Sequence, residues 1–262
     1  MAVGNALAPL VVEAGAEPAA GVGAGAAQSG AKTTLGGIGT GYIYAAWKGQ
    51  IAYTTPNFNG FQATVGITNP NQGLNLSGVA NQTDLYQDRH GLEGKAAYSF
   101  SGDAVTGKVW VSGFSQKVNG MVSGETAYSA DIGANLKAGA FDLTGYYYTG
   151  EGAGTTAFLM DGFSAARQKR DSDGGYLQAT YKLPIGTKIG LAYGVSKLDR
   201  TNADIAAGTV LVSENNRVTL GAYHPITKHL NLVAEYNDIE AKAHTGVNNK
   251  QEIGSLGAIL FF

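Results

Sequence analysis

The stretch KIGLAYGVS (188–196) alternates between two kinds of side chain along its whole length. One face would carry large apolar side chains, namely Ile189, Leu191, Tyr193 and Val195. The other face would carry lysine, glycine, alanine and serine. Period-two alternation predicts a β-strand, because successive side chains of a strand point to opposite faces. FQATVGI (61–67) and YLQATYKL (176–183) repeat the pattern, and no helical period competes with it.

Eleven runs of this kind follow one another along the chain. We predict strands at 48–56, 61–69, 89–101, 106–118, 125–138, 140–151, 174–184, 187–199, 215–225, 229–243 and 251–262. Short turns alternate with long loops, which are predicted at 70–88, 119–124, 152–173, 200–214 and 244–250. Long strands with alternating short and long connections are typical of outer-membrane barrels. The predicted fold class is therefore all-β, an antiparallel up-and-down transmembrane β-barrel.

The two faces of the strands also differ in polarity. A soluble barrel with an apolar interior would show the same alternation, so the pattern alone leaves both arrangements open. Aromatic residues at strand ends favour the membrane, since amphipathic rings suit its interfaces. These aromatic residues are Tyr53, Phe61, Tyr98, Phe141, Tyr176, Tyr193, Tyr236 and Phe262.

The composition excludes several classes of protein. A net charge of −2, with 15% charged residues, gives no basic face for nucleic acid. The chain has no Cys, so disulfides, thiolate metal sites and cysteine nucleophiles are excluded. No run approaches the ~18 apolar residues of a membrane-spanning helix. Residues 1–31 are an Ala/Gly mixture without Lys or Arg before residue 32, which indicates loop or disorder and no signal peptide.

The chain ends in GSLGAILFF (254–262), and it contains the hairpin stretches QIAYTTPNFNGFQATVGI (50–67), KRDSDGGYLQATYKL (169–183), TKIGLAYGVSKLD (187–199) and LGAYHPITKHLNLVAEYN (220–237). These stretches resemble the trimeric porin family of Gram-negative bacteria. Porins of this type have sixteen strands and a signal peptide. The resemblance therefore implies an N-terminally truncated barrel, with a low-complexity segment and a remnant of the constriction loop at 1–47 and barrel strands at 48–262. A smaller barrel with an irregular twelfth strand in 1–32 is the alternative.

The resemblance implies passive diffusion of ions and small hydrophilic solutes through a water-filled channel, without a cofactor or metal. Lys48, after the loop remnant, matches a basic wall position. The expected pore-lining residues are Lys48, Gln50, Gln62, Glu93, Lys95, Asp131, Lys137, Gln178, Lys182, Lys188, Arg217 and Glu235. Phe262 and Leu260 would form the signal for the barrel-assembly machinery. Expected partners are outer-membrane lipid, lipopolysaccharide and two further copies in a homotrimer.

Other functional interpretations have weaker support. GGIGTG (36–41) lacks the pattern of a phosphate loop, and a glycine-rich loop near the constriction is the better interpretation. A barrel hydrolase would need a nucleophile beside a histidine, for which His90, Asp88 and Ser77 are the only candidates. A non-conducting adhesive or structural barrel is a third possibility. RQKRDSD (167–173) is interpreted as a solvated loop, or as one that pairs with lipid phosphate at the outer leaflet, rather than as an ion-attracting vestibule.

Overall fold

The computed structural model describes residues 37–44, 48–70, 89–119, 124–156 and 158–261. The predictions for residues 1–31 and for Phe262 lie outside this part of the chain. The strands are β1 (Gln50–Thr54), β2 (Phe61–Thr68), β3 (Gly91–Ser101), β4 (Thr106–Val118), β5 (Glu125–Ala138), β6 (Phe141–Glu151), β7 (Asp171–Lys182), β8 (Lys188–Leu198), β9 (Val212–Pro225), β10 (Leu230–Ala243) and β11 (Asn248–Leu260). One short helix, α1 (Asn202–Ala206), lies between β8 and β9.

The strands form one antiparallel sheet in which each strand pairs with its neighbours in chain order. Within the described residues, β1 and β11 are the two edges of this sheet. The prediction of eleven up-and-down strands is confirmed, and most boundaries agree within three residues. Local alternation of side chains is enough to predict this sheet, because every strand pairs with a strand adjacent in sequence.

Three connections differ from the prediction. The loop predicted at 244–250 is a tight turn at 244–247, because β11 already begins at Asn248. In this turn the Gly246 N–H donates to Ala243 O at 2.9 Å. The predicted loop 200–214 contains α1, whose five residues are too few to show a helical period. The loop between β6 and β7 lies inside the fold, where Phe158, Leu159 and Phe163 are buried.

The strand register gives the sheet two chemically different faces. A row of directly opposed residues runs across β1–β5 and consists of Thr54, Thr64, Lys95, Ser112 and Asp131. We call the face that carries this row the inner face. Its residues alternate along each strand with those of the opposite, outer face.

The outer face is apolar and exposed over most of its height. Leu191 is 55% exposed, Ile132 is 57% exposed, and comparable side chains occupy the outward positions of the other strands. Exposed apolar surface of this extent is rare on soluble monomers and marks a surface that contacts lipid or another protein. Charged outward side chains gather near the loop ends of β9 and β10, where Lys242 binds Glu214 at 2.8 Å.

One predicted interface aromatic lies on the wrong face. Tyr176 pairs across the sheet with Gly194 and Tyr146, which are inner-face positions. Its ring stacks on that of Tyr146 with centroids 5.4 Å apart. The prediction that Tyr176 lies at a membrane interface is therefore wrong, because the parity of β7 turns its side chain inward with Gln178.

Candidate pore lining and constriction

The predicted pore-lining residues share the inner face. Lys48 precedes β1 and contacts Glu93 from that side. The register places the others at inward positions, namely Gln50, Gln62, Glu93, Lys95, Asp131, Lys137, Gln178, Lys182, Lys188, Arg217 and Glu235. Lys108 and Asp142 share this face as well. The alternation of KVW (108–110) and DLT (142–144) carried the signal for these two, but the prediction did not include them.

Lys48 and Glu93 form an ion pair beneath the inner surface. Their side chains are only 4% and 5% exposed. The Lys48 ammonium also lies 5.4 Å from the ring centroid of Phe114 and 5.2 Å from that of Phe158, so cation–π contacts with both rings stabilise its charge. The two charges largely neutralise each other, and this pair adds little net field to the inner face.

The neighbouring row holds a less balanced set of charges. Ser112 donates a hydrogen bond to Asp131. Lys95 lies 5.9 Å from the ring centroid of Trp110. Lys95 and Lys108 line a cavity of about 300 Å³, together with Glu93, Gln62, Thr54 and Thr64. Neither lysine has a carboxylate within 4.0 Å among the described residues, so this part of the inner face is basic.

Polar pairs continue across the opposite half of the sheet. The Tyr223 hydroxyl donates to Glu235. The Thr219 hydroxyl donates to Asn237 Oδ1 at 2.6 Å. Arg217 lies beside the segment 37–44, where a Cβ built on Gly37 would come within 2.9 Å of its Nη2 atom. Hydrogen-bonded polar groups thus line β9 and β10 where a soluble protein would have its apolar core.

The glycine-rich segment 37–44 lies against the inner face. Its Gly41 N–H donates to Ser196 Oγ on β8 at 2.9 Å. A Cβ at Gly194 would lie 2.0 Å from Thr40 O, so only glycine allows this close approach. Gly41 itself has φ of 123°, a conformation that other residues rarely adopt. The segment belongs to the predicted remnant of the constriction loop.

The loop between β6 and β7 also lies on the inner face, which the sequence analysis did not predict. Phe158, Leu159 and Phe163 are buried in one apolar cluster with inner-face residues of β4 and β6. The rings of Phe158 and Phe114 have centroids 4.3 Å apart. The apolar run FLM (158–160) was the available signal of inward packing, because apolar side chains are unfavourable in a loop that is exposed to water.

Backbone hydrogen bonds connect this loop to the segment 37–44. The Tyr44 N–H donates to Thr156 O at 2.7 Å, and the Phe158 N–H donates to Tyr44 O at 3.1 Å. The two pieces are far apart in sequence but form one unit inside the sheet. Ile43, which is fully buried, adds its side chain to the same apolar cluster.

The charged run at 167–173 is only in part the solvated loop that was predicted, because Gln168 and Asp171 are exposed whereas Arg170 is buried. Arg170 and Asp204 are only 1% and 2% exposed in their side chains. Arg170 Nε donates to Asp204 Oδ2 at 2.9 Å, and Nη2 donates to Oδ1 at 2.7 Å. Hydrogen bonding from Arg170 lowers the pKa of Asp204 to about 2. Asp171 to Asp173 begin β7 instead of belonging to the loop.

The described part of the chain holds no group of three or more His, Asp or Glu side chains placed to bind a metal ion. It also holds no helix long and apolar enough to cross a membrane. His90 lies within the described residues, whereas its suggested partners Asp88 and Ser77 lie outside them.

Residues 3–244 match the sequence profile of the Gram-negative porin family. The chain belongs to this family. Gram-negative porins reside in the outer membrane, and this porin is therefore an outer-membrane protein. No curated protein matches the sequence significantly.

Solved outer-membrane channels share the fold of this porin. The outer-membrane channel DcaP of Acinetobacter baumannii has 15% sequence identity and a TM-score of 0.70, with 86% of this chain and 64% of that chain covered. An anion-selective porin from Comamonas acidovorans has 17% identity and a TM-score of 0.50, with coverages of 80% and 57%. A porin refined at 1.8 Å resolution has 14% identity and a TM-score of 0.52, with coverages of 82% and 62%. This porin thus spans less than two thirds of the length of each.

Proposed function

We propose that the protein forms a water-filled channel for the passive diffusion of ions and small hydrophilic solutes across the outer membrane. The distribution of polarity over the sheet carries this proposal. Leu191 and its outward neighbours are exposed, while Asp131, Arg217 and Glu235 are buried on the inner face. This is the reverse of a soluble barrel, and it matches a wall with lipid on one side and water on the other.

The twelve residues from Lys48 to Glu235 are proposed as the pore lining. Charged rings along a lumen set ion preference, and a narrow segment sets the size limit. The segment 37–44 supplies part of the constriction. Lys95 and Lys108 give the cavity on β2–β4 a basic character. We expect a weak preference for anions.

The protein acts without catalysis in this proposal. Membership of the porin family favours transport over hydrolysis and over adhesion. The partners are lipid and lipopolysaccharide around the outer face and the barrel-assembly machinery during insertion. Two further copies complete a homotrimer. Leu260 and Phe262 form the assembly signal, and Leu260 is exposed on the outer face of β11.

Planar-bilayer recording tests the channel. The full protein should give ohmic current steps in potassium chloride without any added substrate. Each step should scale with the conductivity of the bathing solution, since water-filled pores conduct by diffusion. Silent bilayers with protein that has inserted, together with turnover of an ester substrate, would replace the channel by a hydrolase. Silent bilayers without turnover would favour an adhesive or structural barrel.

A further inference from the structure

The β6–β7 loop combines inward packing with a strained backbone. Its side chains Phe158, Leu159 and Phe163 are buried against the inner face. Leu159, Asp161 and Arg167 have positive φ angles of 70°, 59° and 64°. Such conformations persist in residues other than glycine only where surrounding contacts impose them. The loop therefore depends on contacts with its surroundings to keep this backbone conformation and its place against the inner face.

Arg170 supplies contacts of this kind at the end of the loop. Besides its two bonds to Asp204, its Nη1 donates to Asp161 O at 2.9 Å. One guanidinium thus binds the left-handed turn of its own loop and a carboxylate of the β8–β9 loop. The planar fork of arginine suits this geometry, and a lysine ammonium could not reproduce it.

Asp204 is itself fixed by the start of α1. The Asp204 N–H donates to Thr201 Oγ1 at 3.1 Å, and Thr201 N donates back to Asp204 Oδ2 at 3.0 Å. This reciprocal capping box orients the carboxylate toward Arg170. The helix is too short to be stable alone, so its role is to hold the Asp204 side chain in place. The β8–β9 loop thereby provides an anchor for the β6–β7 loop.

We infer that the β6–β7 loop is a second constricting element of the pore and that Arg170 and Asp204 are the residues that position it. This inference rests on the proposed channel function. The loop joins the segment 37–44 through the Tyr44 backbone, so the two form a composite constriction. The solute size limit then depends on an ion pair remote from the pore-lining charges. Releasing the pair should let the loop leave the inner face and widen the channel.

Thiol accessibility tests the position of the loop independently of conduction. Ser164 is 1% exposed and adjacent Ala165 is exposed. The chain has no Cys, so Ser164→Cys introduces a unique, nearly isosteric thiol. A charged water-soluble thiol reagent should label Ser164→Cys slowly and Ala165→Cys quickly in reconstituted protein. Adding Asp204→Asn should raise the labelling rate of Ser164→Cys about tenfold or more, since tenfold requires only about 1.4 kcal/mol.

Conductance gives the functional readout. Asp204→Asn should raise single-channel conductance and admit larger sugars in liposome swelling. Lys169→Gln is the matched control, because it removes a neighbouring cation whose 2.7 Å pair with Glu151 is partly exposed. It should leave conductance, swelling and labelling unchanged. If Asp204→Asn prevents folding, Arg170→Lys keeps the charge but loses the fork, and it should show the same changes.

Two results would overturn the inference. One is a folded Asp204→Asn or Arg170→Lys variant in which Ser164→Cys stays protected. The other is increased labelling without any change in conductance or size limit, which would make the pair a structural link alone. Absence of conductance in the unmodified protein would instead reject the channel function, and the labelling result would still report whether the pair holds the loop.

Discussion

At the scale of single residues, glycine on the inner face decides where the segment 37–44 can lie. Gly194→Ala would place a methyl group 2.0 Å from Thr40 O, so the segment 37–44 must move. We expect a loss of about 1–3 kcal/mol in stability, the usual cost of overpacking, and a higher single-channel conductance. Urea titration in lipid vesicles and bilayer recording measure the two effects.

Gly190→Ala provides the matched control for this substitution. Gly190 lies on the same strand and the same face, but the nearest atom to its new methyl would be Thr180 Cγ2 at 3.1 Å. A small shift of that side chain relieves the contact. Equal effects of the two substitutions on conductance would show that the segment does not narrow the pore.

Lysine charges on the inner face should set the ion preference. Lys95→Gln and Lys108→Gln each remove an ammonium group that lines the cavity of about 300 Å³. A unit charge ~8 Å away contributes about 0.5 kcal/mol in water, and screening over about one Debye length reduces this to about 0.2 kcal/mol. Because the contribution has opposite sign for anions and cations, each change should lower the anion-to-cation permeability ratio about twofold. Reversal potentials in a salt gradient measure this ratio.

The control is a lysine on the other face of the sheet. Lys197 opposes Glu214 at an outward position, so Lys197→Gln should leave the permeability ratio unchanged. The double variant at Lys95 and Lys108 should show an effect that weakens as salt rises, because screening shortens the range of the charges. An unchanged ratio in the double variant would place these lysines away from the ion path.

At the scale of elements, alternation predicts strands well and loops poorly. β8 could be predicted from KIGLAYGVS alone, because its neighbours in sequence are also its partners in the sheet. The β6–β7 loop could not, since Phe158 finds Phe114 and Tyr44 only after the sheet has formed. Arg170 looked like a surface charge for the same reason. Its partner Asp204 lies two connections away and has no local signature of burial.

The two faces of β8 should respond oppositely to one added charge. Leu191 points outward and the adjacent Ala192 points inward. Leu191→Arg should cost about 2–4 kcal/mol in unfolding free energy, the range for a cation near the middle of a bilayer. Ala192→Arg should cost less, because water can solvate its charge. Urea unfolding in vesicles compares the variants, and a larger loss for Ala192→Arg would reverse the assignment of faces.

The anchor between the β6–β7 and β8–β9 loops should respond to acid in a defined range. Hydrogen bonding from Arg170 lowers the pKa of Asp204 from 3.8 to about 2, and Arg170 is the charged side chain in contact with it among the described residues. The carboxylate therefore contributes stability that is fully present above about pH 4 and is lost as the pH falls through about 2.

Thiol labelling between pH 4 and pH 8 should accordingly show no opening of the loop. Protection of Ser164→Cys, measured at each pH with a pyridyl disulfide, which reacts with thiols even in acid, and normalised to the labelling of Ala165→Cys, should decline only toward pH 2. Asp204→Asn should abolish this step, because the amide does not titrate. A loss of protection near pH 6 in the unmodified protein would assign the anchoring to another titratable group.

At the scale of the whole molecule, the apolar outer face and the polar inner face mean that the fold requires lipid or detergent around its outer face. The exposed band that includes Ile132, Leu191 and Leu220 cannot be covered by the polar inner face of the same sheet. Within the described residues, β1 and β11 also leave an edge each, and exposed edges promote association in water. We therefore expect the full protein to be monodisperse and rich in β-structure only in detergent micelles or lipid.

Dilution below the critical micelle concentration tests this expectation. Light scattering should rise while far-ultraviolet circular dichroism keeps its strand signal, because association begins from folded sheet. Returning detergent before the aggregates mature should recover monodisperse protein and its conductance. A soluble barrel with the same strands would stay monodisperse throughout the dilution, since its apolar side chains would fill the interior. That outcome would contradict both the outward orientation of Leu191 and the channel that depends on it.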